Sequence, residues 1–421
     1  MRILYFHQHF STPHGSTGTR SYEFCRRLLA RGHSVTIVCG SYKGGVTGLA
    51  GAYQNGLRRG MVDGIDIIEL HLPYSNADRF LKRIGTFLKF MLRSTRIALS
   101  HPCDLVFATS TPLTVAVPGI VASLVRRRKF VFEVRDLWPE LPREMGVITN
   151  PLVLAAMGFL ESAAYWAADA CVALAPGIAE GIRRKTPNKR ITVIPNGSDL
   201  IAQNDLEALS PALMATLESL RGKQICVFTG AHGIANGLDA VLDAAFELKS
   251  RSRSDIVMLF IGEGMAKPAL VARARQQGLD NCLFLEPMPK RMLLNLLSQV
   301  HVGLMILANV PAFYNGTSPN KFFDYLSMGL PVLINYPGWL AEFIRTENCG
   351  AVVPPEDSKA FCDALEKLVD DPASRAAMGS RARSLAEQEF ARDLLAAQFV
   401  AFLEEICNDA RTAPITDGIP E

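Results

Sequence analysis

The chain has 421 residues, 49% of them hydrophobic and 20% charged, with a formal net charge of +3. That length accommodates two domains with separate cores, and therefore a cleft between them. The small net charge excludes a chain-wide basic surface for nucleic acid, and nine scattered cysteines with no CxxC pair read as free thiols in a reducing cytoplasm.

The apolar run at residues 3–6 leads straight into a polar, Gly-containing loop, so it reads as a first buried strand and not as a secretory leader. Next comes His14-Gly-Ser-Thr-Gly-Thr-Arg20, then a helix from about Ser21. Gly15 and Gly18 permit close backbone approach, and a helix N-terminus favours an anion. The spacing is not the dinucleotide fingerprint, and no matching acid follows the second strand, so a plain turn and a phosphate loop both stay open.

Apolar runs at 35–39, 65–70, 105–108 and 130–134 alternate with helical patterns, which predicts parallel β–α units. Over residues 79–96, Phe80, Ile84, Phe87, Leu88 and Met91 follow helical spacing, with Arg79, Lys82, Lys89, Arg93 and Arg96 set opposite. Such a helix suits an anionic membrane face, or a core-facing helix with a solvated basic side. The apolar stretches at 112–125 and 151–174 are too short, or broken by Glu161 and Asp169, so no transmembrane helix is expected.

Phe130-Val-Phe-Glu-Val-Arg-Asp-Leu-Trp-Pro-Glu140 sets Arg135 and Asp136 at the C-terminal end of a predicted strand, where open α/β sheets bind ligands. Arg135 suits a phosphate or a carboxylate, and Asp136 an acceptor hydroxyl; a structural Arg–Asp pair competes with that reading. Pro195-Asn-Gly-Ser-Asp199 marks a turn between domains, giving expected domains of 1–198 and 199–384, a terminal helix over 385–410 and a flexible tail over 411–421.

The β–α pattern then restarts. Thr229-Gly-Ala-His-Gly-Ile-Ala-Asn-Gly-Leu238 again joins strand to helix, with Gly230, His232 and Gly233 as donor-phosphate candidates. Ile261-Gly-Glu-Gly264 and Glu286-Pro-Met-Pro289 follow later strands, making Glu263 and Met288 candidates for a base edge. Ser318-Pro-Asn-Lys-Phe-Phe-Asp-Tyr-Leu-Ser-Met-Gly-Leu-Pro331 opens a helix near Pro319 and ends it near Gly329. Ser318, Asn320 and Lys321 sit at its positive end, and Asp324 lies one turn on, so a diphosphate and a ribose diol fit side by side. No DxD sequence or tight ligand spacing occurs, so neither a metal nor another cofactor is expected.

In this order, the Gly15–Arg20 loop, Arg135-Asp-Leu-Trp-Pro139, Pro195–Asp199, the Gly230–Gly237 loop, Gly262-Glu-Gly264 and Ser318–Pro331 resemble family-4 glycosyltransferases. The nearest resemblance is to bacterial enzymes of O-antigen, capsule or exopolysaccharide assembly, including N-acetyl-L-fucosamine transferases. It implies a GT-B fold, in which two Rossmann-like domains face a cleft, the nucleotide-sugar donor binds the second domain, the acceptor binds the first, and a last helix returns to the first domain. It also implies retaining, metal-independent transfer, with UDP favoured; the membrane reading of residues 79–96 adds a lipid-linked glycan as acceptor and a place at the inner face of the cytoplasmic membrane. Asp324 matches the second acid of the family's E-x7-E motif, whereas Gly316 stands in place of the first. Ala231 and Asn236 replace its usual basic pair, and Arg135 its usual histidine. A nucleotide-sugar 2-epimerase and a non-catalytic nucleotide-sugar-binding scaffold are the alternatives; a dehydrogenase ranks below them.

Overall fold

The computed structural model describes residues 1–15, 18–42, 45–74, 78 and 80–409. The first domain opens with β1 (Arg2–Phe6), α1 (Arg20–Ala30), β2 (Ser34–Tyr42), β3 (Leu57–Val62), β4 (Ile65–Tyr74), α2 (Phe80–Ser100) and β5 (Leu105–Thr109). It continues through α3 (Ala116–Arg126), β6 (Lys129–Val134), α4 (Glu140–Glu144), α5 (Pro151–Ala167), β7 (Ala170–Ala173), α6 (Pro176–Lys185) and β8 (Arg190–Val193).

The strands run β3-β4-β2-β1-β5-β6-β7-β8, and only β3 is antiparallel to its neighbour. All five residues of β5, Leu-Val-Phe-Ala-Thr, are buried. That is the pattern of a parallel strand covered on both faces. One face packs α1 and the chain's last helix around Phe24, Phe107 and Phe399; the other packs α2, α3, α5 and α6 around Phe90, Ala122, Tyr165 and Ile178.

The second domain comprises α7 (Pro211–Ser219), β9 (Gln224–Thr229), α8 (Asp239–Ser250), β10 (Ile256–Ile261), α9 (Lys267–Gln276), β11 (Cys282–Leu285), α10 (Lys290–Leu297) and β12 (Val302–Met305). After these come α11 (Ala312–Gly316), α12 (Asn320–Ser327), β13 (Val332–Ile334), α13 (Trp339–Glu347), β14 (Gly350–Val352), α14 (Ser358–Asp370), α15 (Pro372–Gln388) and α16 (Arg392–Asn408). Its sheet, β11-β10-β9-β12-β13-β14, is wholly parallel. In each sheet the strand order reverses at one strand, β1 or β9, and the loop after that strand faces the crevice where ligands of such sheets bind.

Three expectations need correcting. The chain pairs β3 and β4 as a hairpin that the sequence pattern did not reveal, because Leu57-Arg-Arg-Gly-Met-Val62 carries too few apolar residues to stand out. The helix expected over 385–410 is two helices broken at 389–391, where Phe390 packs on Phe323 and Phe343 and Ala391 bridges Ser198. The break lets α16 cross to the first domain, where Phe399 stacks on Phe24 with ring centroids 4.5 Å apart.

The face assignment of α2 also changes. Its inner side is Thr86, Phe90, Ser94 and Ala98, and small residues there let α3 pack close. Its outer side mixes Leu81, Leu88 and Leu92 with Lys82, Lys89 and Arg96, so the apolar and basic residues are not opposed. Arg93 instead donates to the carbonyls of Gly56 and Asn55, and Arg79 lies outside the described residues. Among the described residues no helix is long and apolar enough to cross a membrane.

Candidate donor site

Helix α12 is fixed by its buried side, Phe322, Phe323, Tyr325 and Leu326. The Tyr325 hydroxyl accepts the Thr229 amide at 3.0 Å and donates to the Val227 carbonyl at 3.2 Å, tying the helix to β9. A β-carbon on Gly303 would lie 2.5 Å from the Tyr325 ring, so that strand position has room for hydrogen alone. Pro319 is the N-cap and makes no side-chain capping bond, so the helix starts one residue later than the sequence predicts and presents free amides to the cleft.

Lys321 and Asp324 then face a cavity of about 270 Å³ shared with Gly15, Gly18, Gly230 and Met288. The Lys321 ammonium donates to Asn236 Oδ1 at 3.0 Å and sits 3.7 Å above the Phe228 ring centroid. Burial pulls its amine down to about 7. A phosphate would supply the anion this buried amine lacks. Asp324 is paired with Lys290, whose ammonium is also 3.8 Å from Asp199; burial raises the Asp324 carboxyl and Lys290 opposes the shift.

The glycine loops are held by each other. A β-carbon on Gly262 would sit 1.9 Å from the Gly230 carbonyl oxygen, and one on Gly264 2.4 Å from that of His232. His232 therefore contributes backbone, its amide donating to the Glu263 carbonyl at 2.9 Å. Its ring is fully buried among Phe228, Phe260 and Phe284, and desolvation lowers the imidazole to about 4. Gly233 caps the short turn that follows, away from the cavity lining. Glu263 holds Lys267 at 3.1 Å, and Lys267 also bonds the Gly262 carbonyl and Glu286.

Ser318 closes the seam between domains. Its hydroxyl accepts the Asn196 amide at 2.9 Å, its carbonyl accepts Asn196 Nδ2 at 2.6 Å, and Ser198 donates to the Phe323 carbonyl at 2.8 Å. Asn320 reaches across the cleft: a β-carbon on Gly18 would meet its amide at 2.8 Å. Residues 16 and 17 of that loop lie outside the described ones.

Residues 15–197 match the family described as Glycosyl transferase 4-like domain, and residues 223–371 match Glycosyl transferases group 1. The chain is 24% identical over 209 residues to an alpha-D-kanosaminyltransferase of Streptomyces kanamyceticus, covering 50% of this chain and 52% of that protein. It is 25% identical over 232 residues to an O-antigen chain mannosyltransferase C of Escherichia coli, covering 53% and 57%. The chain thus spans about half the length of these curated relatives. Among solved structures, Anabaena HepE in complex with UDP superposes with a TM-score of 0.65 at 15% identity, covering 96% of this chain and all of that one (100%). This is a GT-B fold, its first domain matching the glycosyl transferase 4-like model and its second the group 1 model.

On the opposite wall of the GT-B cleft, the sequence found Arg135 and Asp136, with Glu133 and Glu140 beside them, but missed that Arg20 and Thr109 hold this group. Arg20 and Glu133 form a fully buried pair at 2.9 Å, and Arg20 also donates to the Ile194 carbonyl at 2.8 Å. Thr109 donates to Glu133 at 2.6 Å and accepts Arg135 Nε at 2.9 Å, so Arg135 is held at the end of β6. Asp136 sits beside Thr111 with its carboxyl raised by burial. It faces Gly316 and Thr317 across a narrow crevice apart from the Lys321 cavity.

His7 and Gln8, directly after β1, are buried and His9 is half-buried, and His7 Nδ1, both Gln8 amide atoms and His9 Nε2 have no hydrogen-bond partner among the described residues. Burial and the nearby Arg135 charge lower both imidazoles, His9 to about 4. Only their place after the first strand signalled them. Lys290, Asp199 and Arg392 were also missed, since their pairing is made by three segments far apart in the chain. Among the described residues no group of three metal-binding side chains occurs.

Proposed function

We propose that this chain is a retaining, metal-independent glycosyltransferase. It takes a sugar from a nucleotide donor, a UDP-N-acetylhexosamine by preference, and passes it to a polyprenyl-diphosphate-linked or other glycan acceptor. The setting is bacterial surface-polysaccharide synthesis at the inner face of the cytoplasmic membrane, with Lys82, Lys89 and Arg96 turned to anionic lipid. The observation that carries this reading is the pair Lys321 and Asp324, one helical turn apart and facing the Gly15–Gly18 loop across an interdomain cavity.

The donor diphosphate would restore the charge of the Lys321 ammonium, and the ribose diol would replace Lys290 as the partner of Asp324. Negative charge on the leaving diphosphate would be met by Lys321, the α12 N-terminus and the two glycine loops, all in place before reaction. Asp136 would orient the acceptor hydroxyl, and the leaving oxygen would take its proton, so no strong protein base is needed. Arg135, held by Glu133 and Thr109, would stand where positive charge steadies that exchange. Gly316 offers no side chain beside Asp136, and a β-carbon there would meet nothing within 4 Å.

UDP is supported by the HepE complex, and the polysaccharide setting by the name of the Escherichia coli relative. Incubation with UDP-N-acetylhexosamines and a polyprenyl-diphosphate acceptor is expected to yield an extended lipid and free UDP. Isomerised donor sugar without acceptor would replace this reading with an epimerase, and donor binding with neither product would replace it with a scaffold.

A further inference from the structure

Helix α5 carries an outer face that a water-exposed helix should not have. Leu152, Phe159 and Trp166 are 79%, 77% and 70% exposed, and seven-residue spacing puts them on one line along the helix. Val153 joins them at the N-terminal end. The only charged residue of α5, Glu161, points inward, accepting the Trp138 amide at 2.9 Å, the Tyr165 hydroxyl at 2.6 Å and the Lys185 ammonium.

The apolar line continues sideways. Helix α3 packs between α2 and α5, and it exposes Leu124 and Val125; α2 exposes Leu81, Leu88 and Leu92. Neither α2 nor α3 contains an Asp or Glu, so across three neighbouring helices no carboxylate reaches the outer face. The charges that do reach it are Lys89 and Arg96 on α2, Lys82 with its Asp78 partner at 2.7 Å, and Arg126 and Arg127 at the end of α3. Ordinary soluble surfaces intersperse both signs.

We infer that α5 lies flat in the interface of an anionic bilayer, inserting Leu152, Phe159 and Trp166, while the basic residues of α2 and α3 hold phosphate headgroups. Aromatic and aliphatic side chains along one helix, flanked by basic residues on α2 and α3, match the layered polarity of a lipid surface. A second copy of the chain matches it less well, because its own basic rim would meet this one with like charge. The placement suits an acceptor carried by lipid: α2 also packs Phe87 against His9 and Tyr74 at the cleft wall, so one helix joins the lipid face to the acceptor side. The inference deepens the membrane setting proposed above, and its test needs no turnover.

The full chain is mixed with phosphatidylcholine vesicles, with and without phosphatidylglycerol, and sedimented. Wild type is expected to co-sediment with the anionic vesicles, with Trp166 emission quenched by brominated lipid. Leu152→Glu combined with Phe159→Glu should lower that binding at least about tenfold. Both sites are exposed, so unchanged thermal melting will show an intact fold. Lys89→Glu with Arg126→Glu and Arg127→Glu should abolish the preference for anionic lipid. Wild type that ignores both vesicles, or an undiminished double variant, overturns the inference. So does a concentration-dependent dimer that Phe159→Glu dissociates, which would assign the face to a second copy. Loss of transfer activity with vesicle binding intact would instead count against the proposed reaction.

Discussion

On the C-terminal wall of the cleft, Lys321 and Asp324 already hold partners, Asn236 and Lys290, whereas on the N-terminal wall Gln8, His7 Nδ1 and His9 Nε2 are buried with none among the described residues. The first arrangement keeps charged groups satisfied until a charged ligand displaces their protein partners. The second offers neutral hydrogen-bonding groups, inside a charged frame, that hydroxyls or water can satisfy. That frame is the Arg20–Glu133 pair with Thr109 and Arg135. Under the proposed reaction the first wall would take the charged donor and the second a neutral, hydroxyl-rich acceptor.

The largest effect expected is on the frame. Arg20→Met leaves Glu133 buried without its main counter-ion, and the folded state should lose about 3–5 kcal/mol, read as a fall in the urea midpoint. A midpoint unchanged within error would mean that Arg135 alone neutralises Glu133, and the frame would be smaller than described.

Next comes the charged wall. Lys321→Ala should weaken UDP binding about 10–100-fold by calorimetry, the range for a hydrogen bond to a charged group. Because the free amine sits near 7, it is protonated below that pH and needs to take up a proton on binding above it. Wild-type affinity should therefore be flat below about pH 7 and fall by up to tenfold per unit above it. A flat wild-type profile up to pH 9 would show that Lys321 stays charged without ligand.

The smallest effect belongs to the neutral wall. Gln8→Ala should raise the acceptor KM about 2–10-fold and leave UDP affinity untouched, since it removes neutral hydrogen bonds only. A change in UDP affinity of similar size would erase the distinction between the walls.

Much of this was legible before any coordinates. Buried runs such as 105–108 and Ile256–Ile261 are apolar throughout, so parallel strands covered on both faces announce themselves. Gly15, Gly18, Gly230, Lys321 and Asp324 follow strands or open helices at positions where local chain direction fixes what faces the cleft, and they do share one cavity. His232 was misjudged because sequence cannot tell a side chain lining a cavity from one buried behind it; the Phe228, Phe260 and Phe284 rings that enclose it come from three strands. The α2 faces were misjudged because an amphipathic count assumes that apolar residues turn inward, and close helix packing put Thr86, Ser94 and Ala98 there instead.

By itself, then, the sequence determined what depends on neighbours within a few residues: two β–α domains, the glycine loops, and a cation and a carboxylate one turn apart on a helix. Tertiary structure alone decided which charges were already matched. Lys290 reaches Asp324 from 34 residues away, Arg392 reaches Asp199 across 193, Arg20 reaches Glu133 across 113, and α5 shows its apolar side only once Glu161 has turned inward. Electrostatic pairing and exposure are set by distance in space, and folding fixes that distance independently of separation along the chain.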